Sequence, residues 1–205
     1  MKPLLIATNN PGKIIEIESV LKPHGIALLT PQQAGISLEV EEDGSTYREN
    51  AGRKAVAFAL ASGLTSLADD TGLEVDLLDG RPGLRSARFS PLPDASDADR
   101  RAHLLELLRP LPRPWLASFC ATIAIVEPHE WQAQGLIHFS EGTCAGEIVP
   151  EERGENGFGY DRIFQVAGMS QTMAELSLQE KNSLSHRGRA VQAAVPLLNT
   201  ILKGY

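Results

Sequence analysis

Residues 3–25, PLLIATNNPGKIIEIESVLKPHG, read as a strand running straight into a helix. PLLIAT is a short apolar run suited to a buried strand. Asn10 is a good N-cap and Pro11 fits the first helical position. Ile14, Ile15, Ile17, Val20 and Leu21 supply one apolar face, and Gly25 ends the helix. A second short strand, IALLT at residues 26–30, follows. Strand, helix and strand in succession predict an α/β protein.

Further along, residues 30–45 are polar and read as loop, with a short strand around ISLEV. Thr46-x-x-Glu49 is a capping box opening an Ala-rich helix that reaches about Gly63. Ala51, Ala55 and Phe58 share a core-facing side of it, widened by Val56, Ala59 and Leu60. In SLADDTGLEVD, residues 66–76, a strand is expected to end at Asp69-Asp70 and reverse on Gly72, with LEVDLL a separate strand. Gly80, Pro82, Gly83, Pro91 and Pro93 make residues 79–95 a long loop. A helix from Ser96 to Leu108 and the link RPLPRP lead to two strand-like stretches, 115–126 and 131–142, joined by a hairpin-like turn at EPHE. RGENGFGYD is a loop. Ser177-x-x-Glu180 is another capping box, and Val191, Val195, Leu198 and Leu202 form the stripe of a final helix. The expectation is one domain over residues 1–205, an α/β fold with a two-lobed mixed sheet, flanking helices and a central substrate cleft.

Composition narrows the function. The chain has 205 residues, enough for a sizeable core, and a net charge of −7 from 19 basic and 26 acidic residues. An acidic balance argues against sequence-independent nucleic-acid binding, which needs a broad basic face. Two cysteines without C-x-x-C spacing support neither a zinc site nor a disulfide framework, and fit a reducing cytosol. The N-terminal apolar run is too short for a signal-peptide core. The longest mostly apolar stretch, LASFCATIAIV, falls well below the roughly 20 residues of a membrane helix. A soluble cytoplasmic protein, with no membrane partner, is expected.

Four segments carry possible chemistry. ATNNPGK brings a helix N-terminus, its free N–H groups and Lys13 together, which favours an anion, although a capped helix with a solvated lysine accounts for the segment alone. It is not a Walker A loop, since Ile14 stands where a magnesium-binding hydroxyl would be. Glu41 and Glu42 lack the structural job that Glu49 has, and with Asp69 and Asp70 they would complete an oxygen-ligand site for magnesium. EKNSLSHRGR concentrates Lys181, His186, Arg187 and Arg189 in an acidic chain, with His186 and Arg187 at the positive end of a helix, against the usual preference. In GFGYD, Phe158 and Tyr160 either cover a core edge or stack on a flat base.

Together, TNNPGK, TYRENA, ADDTGLEVD, GRPGLRSARF, GFGYD and EKNSLSHRGRA resemble the non-canonical purine nucleoside triphosphate pyrophosphatases, from residue 2 to about 203. The resemblance implies a homodimer that cleaves dITP, ITP or XTP between the α and β phosphates with Mg2+, giving the nucleoside monophosphate and pyrophosphate. By position, Thr8, Asn9, Asn10, Pro11, Gly12 and Lys13 would line the triphosphate. Asp70 would be the catalytic acceptor and a metal ligand, with Glu42 the second metal carboxylate, and Thr71 would touch substrate. Phe158, Gly159, Tyr160, Asp161, Lys181, His186 and Arg187 would hold the base and neighbouring groups. Arg162 stands where this family commonly has Pro, and Tyr47 where it commonly has Phe. A nucleotide-sensing module that binds without cleaving, and a pyrophosphatase for another modified nucleotide, are the alternatives.

Overall fold

Asn10 begins the first helix as its position suggests: its Oδ1 accepts from the N–H groups of Gly12 and Lys13 at 2.9 and 3.2 Å. The computed structural model describes residues 2–203. Strand β1 (Leu4–Ile6) precedes α1 (Pro11–Leu21), and Gly25, at φ 71°, closes the single 3-10 turn that follows. Next come β2 (Leu28–Leu29), α2 (Tyr47–Ser62), β3 (Ser66–Val75), β4 (Pro82–Gly83) and α3 (Asp97–Leu108). β5 (Trp115–Val126), α4 (Pro128–Gln134), β6 (His138–Ile148), β7 (Phe164–Val166), α5 (Leu178–Leu184) and α6 (His186–Lys203) complete the order. Among the described residues the strands form a seven-stranded mixed sheet, ordered β2-β1-β3-β5-β6-β7 with β4 beside β3.

The chain divides into two compact units. The first comprises the chain up to Asp70, Ala121–Gly142 and the chain from Arg187 onward; the second comprises Thr71–Cys120 and Thr143–His186. In the first, β1 lies parallel to β2 and to β3, with Leu5 opposite Leu29 and Ser66. Leu4, Ile6, Ile17 and Leu21 bury against Leu67, Ile123 and the α6 stripe of Val191, Val195, Leu198 and Leu202. Ala51, Ala55 and Phe58 of α2 pack with Leu5, Ala68 and Val126. In the second unit, Leu73, Leu104, Trp115, Phe119, Ile163 and Phe164 form a separate core, and β7 pairs antiparallel with β6.

Several sequence expectations change. β3 is one continuous strand through Asp69, Asp70 and Gly72, with no reversal there. Two adjacent aspartates survive inside a strand because cations from other elements meet them, as described below. ISLEV forms no strand. EPHE is not a tight turn: Glu127 caps α4 through the Glu130 N–H, Pro128 takes its first position, and Gly135 closes it at φ 66°. Leu60 is exposed rather than part of the core face. Thr46 Oγ1 accepts from the Glu49 N–H at 3.1 Å as the box predicts, and the Glu49 carboxylate additionally accepts from the N–H and hydroxyl of Ser45. Among the described residues no helix is long and apolar enough to cross a membrane.

Candidate active site

In the first unit, α1, α2, the middle of β3, the start of α6 and the segment before α2 that carries Glu42 place seven charged groups together. Lys13 Nζ lies 2.5 Å from Asp69 Oδ1, and Arg187 Nε donates to Asp69 Oδ2 at 2.7 Å. Arg187 Nη1 donates to Glu16, and the Glu16, Asp69 and Arg187 side chains are almost fully buried. Lys54 Nζ donates to Glu42 Oε1 at 2.6 Å, to the Asp69 carbonyl at 2.6 Å and to Asp70 Oδ1 at 3.4 Å. Asn50 turns its amide so that Oδ1 accepts from the Gly44 N–H and Nδ2 donates to Asp70 Oδ2 at 3.1 Å. Glu42 and Asp70 therefore converge on one ammonium, within the same cluster as Lys13.

The two neighbouring aspartates are tuned apart. Burial pushes Asp69 up, but Arg187, Lys13 and Lys54 outweigh it and hold the carboxyl well below the usual range. At Asp70 burial wins over Lys54 and Lys13, with help from Glu42, and the carboxyl is raised. Burial also lowers Lys13, against the attraction of Asp69. At Lys54 the loss of hydration is outweighed by Asp70, Asp69 and Glu42, so its pKa rises. A carboxylate fixed in its charged form beside one with raised proton affinity is the pattern that separates a structural anion from a proton acceptor.

Three cations (Lys13, Lys54, Arg187) face four carboxylates (Glu16, Glu42, Asp69, Asp70), a formal excess of one negative charge. Among the described residues no three His, Cys, Asp or Glu side chains gather as a complete metal cage. Glu42 and Asp70 supply two hard oxygen donors, which suits magnesium, an ion that keeps waters and substrate phosphates as its other ligands.

In the second unit, the 157–161 loop is held both from within and by neighbouring elements. Asp161 Oδ2 accepts from the Phe158 N–H at 2.8 Å and from Lys181 Nζ at 2.5 Å. Lys181 Nζ also stands 5.1 Å from the centre of the Phe158 ring. Gly157 is at φ 74°, and a Cβ there would fall 2.0 Å from Asp161 Oδ2, so no side chain fits. Tyr160 is buried, its hydroxyl donates to the Ser86 carbonyl at 2.9 Å, and burial pushes its pKa upward. His186 stacks on Phe119, ring centres 4.6 Å apart and planes 12° from parallel.

The Ham1 family model matches residues 4–197. The chain belongs to the Ham1 family. Among similar proteins, the dITP/XTP pyrophosphatase of Desulforamulus reducens is 46% identical over 97% of this chain and 96% of its own. That of Geobacter sulfurreducens is 44% identical over 93% of this chain and 94% of its own. The Ham1 fold is seen in the structure of a HAM1 protein from Coxiella burnetii, with TM-score 0.85, 37% identity and coverage of 97% of this chain and 99% of that one.

Of the residues expected from sequence, Lys13, Glu42, Asp70 and Arg187 meet in the first cluster, and Phe158, Asp161 and Lys181 meet in the second. Thr8 is half-buried, Asn9 and Asn10 are exposed, and Thr71 lies in β3. The expectation of free N–H groups at the head of α1 is corrected: those of Gly12 and Lys13 are capped by Asn10, and that of Asn10 is accepted by Thr8 Oγ1. Three members were missed, namely Glu16, Asn50 and Lys54. Lys54 sits three residues after Ala51 and four before Phe58, on the helix face read as core. A lysine there was the available signal, because a charge on an apolar stripe needs a partner.

Proposed function

We propose that this chain hydrolyses dITP, ITP and XTP to the nucleoside monophosphate and pyrophosphate, removing them from the nucleotide pool. The observation that carries the reading is the convergence of Glu42 and Asp70 on Lys54, in a chain whose relatives include dITP/XTP pyrophosphatases. We further propose that it works with Mg2+, as a homodimer, in the cytoplasm.

A nucleoside triphosphate repels an incoming nucleophile through its own charge, so positioning and electrostatics supply most of the catalysis. Lys13 and the positive end of α1 would neutralise phosphate oxygens. For the Gly12 and Lys13 N–H groups to join them, the Asn10 side chain must turn away. Glu42 and Asp70 would hold magnesium, which when bound neutralises phosphate charge and acidifies water. Asp70, its proton affinity raised, would accept the proton of the attacking water at a carboxylate oxygen. Lys54 would keep Asp70 and Glu42 aligned, and Asn50 would fix the rotation of the Asp70 carboxylate.

Phe158, Asp161 and Lys181, with His186, would serve the base, whereas Arg187, expected there from the sequence, is engaged by Asp69 and Glu16 in the first unit. Hypoxanthine and xanthine present an acceptor at position 6 where adenine presents a donor. A buried donor left facing adenine costs about 1–3 kcal/mol, roughly 5- to 150-fold per contact.

The test is a panel of dITP, ITP, XTP, dGTP, dATP and other modified nucleotides with chromatographic identification of products. Fast formation of monophosphate and pyrophosphate from the first three is expected. Binding without product over long incubation with magnesium would indicate a sensor instead. Preference for a different nucleotide would move the substrate assignment.

A further inference from the structure

One helix takes both the N–H and the carbonyl of Gly159. The Gly159 N–H donates to Asp97 Oδ2 at 2.7 Å, and its carbonyl accepts from Arg101 Nη1 at 2.8 Å. Asp97 and Arg101 are four residues apart in α3, so they project from the same side of the helix. The rest of the Arg101 guanidinium is occupied as well. Its Nε and Nη2 donate to the two oxygens of Glu152 at 2.7 and 3.0 Å, the bidentate geometry in which an arginine fork is held most firmly. Arg162 Nη1 stands 3.8 Å from Glu152 Oε2, and the Arg162 carbonyl accepts from the Arg153 N–H at 2.9 Å. The remaining charge facing Asp97 is Arg100, which donates to its other oxygen.

The segment so gripped carries two left-handed glycines, Gly157 at φ 74° and Gly159 at φ 62°. Glycines give such a loop many alternative poses. Arg101 is buried, which is uncommon for an arginine whose only task is a surface ion pair. Asp97, Arg101, Asn156, Gly157, Phe158 and Arg162 line a polar cavity of about 290 Å³.

We infer that Asp97 and Arg101 are positioning residues: they clamp the Gly159 peptide and thereby set the pose of Phe158 and Asp161 toward the base. The inference rests on the reading that this loop serves the base. Both residues act through the Gly159 peptide, so the clamp acts on affinity for the nucleoside end and not on the chemical step.

The experiment measures binding of dIMP and of pyrophosphate separately by calorimetry, and KM and kcat for dITP, in Asp97→Ala, Asp97→Asn and Arg101→Met. Asp97→Ala and Arg101→Met are expected to weaken dIMP about tenfold or more, the worth of a charge-assisted hydrogen bond. KM should rise alongside, while kcat and pyrophosphate affinity stay within about twofold. Asp97→Asn keeps an oxygen for the Gly159 N–H and should recover most of the loss. Unchanged dIMP affinity in the two disruptive variants overturns the clamp, as does equal weakening of dIMP and pyrophosphate, the mark of general loosening. Should Arg101→Met not fold, the Asp97 pair, on a partly exposed side chain, decides the matter by the same readings. A wild-type protein that cleaves no dITP overturns the functional reading together with the clamp, whereas normal wild-type turnover with unaffected variants overturns the clamp alone.

Discussion

Replacing Asp69 by Asn takes from the interior the one carboxylate that Lys13 and Arg187 share, leaving Lys13 facing an amide and Arg187 with Glu16. Asp69 and Arg187 are buried, so water cannot compensate the loss. Breaking a buried pair by neutralising one partner costs about 3–5 kcal/mol. For a chain of this size each kcal/mol lowers the melting temperature by about 2–4 °C, so Asp69→Asn should melt about 6–20 °C below wild type at pH 7. The pH dependence gives an independent check. A carboxyl held below its ordinary value of 3.8 stabilises the fold above that pH, and the contribution is lost as pH falls through the lower folded-state value. The gap between wild type and variant should therefore be full at neutral pH and narrow in acid below about 3.8. Thermal and urea denaturation from pH 7 to pH 3 would measure it. Adding Lys13→Met removes the ammonium left without its carboxylate and should recover part of the stability. A variant melting within about 2 °C of wild type at pH 7, or a gap that does not narrow in acid, would refute the reasoning.

Lys54→Met leaves Glu42 and Asp70 without their shared ammonium, and turnover of dITP should fall about a hundredfold or more at saturating magnesium. Glu42→Gln removes one of two hard donors, so the magnesium concentration for half-maximal rate should rise about tenfold; an unchanged magnesium curve would take Glu42 out of the metal site. Leu198→Ala empties a fully buried position on α6 and should cost about 2–5 kcal/mol in urea denaturation, with KM for dITP unaltered.

The parts legible in the sequence were those decided by neighbours in the chain. Asn10 and Pro11 start α1, Ser96 starts α3, and the Ser177–Glu180 box starts α5, because capping satisfies donors within a few residues. The stripe at Val191, Val195, Leu198 and Leu202 follows from helical period alone. What failed depends on distant partners. Asp69 and Asp70 look like the end of a strand, yet Arg187, 118 residues further on, neutralises Asp69 and lets β3 continue. A seven-residue α4 was hidden in a short segment with strand-like neighbours. Glu42, Asp70 and Arg187 stood out in the sequence as charges without a local structural job, and the resemblance gave each its role. Glu16, Asn50 and Lys54, each supporting one of those, carry roles visible only once α1, α2 and β3 are packed. Only a contact across the chain gives a buried lysine its meaning.

The most direct measurement compares wild type with Asp70→Asn, scoring dIMP and pyrophosphate from dITP while melting temperature is recorded for both. Wild type should release the two products in equal amounts. The variant, which keeps the Asn50 neighbourhood but loses the proton-accepting carboxylate, should fall at least about a hundredfold while melting close to wild type. Wild-type turnover in Asp70→Asn, or release of dIDP and phosphate by the unaltered protein, would contradict the account.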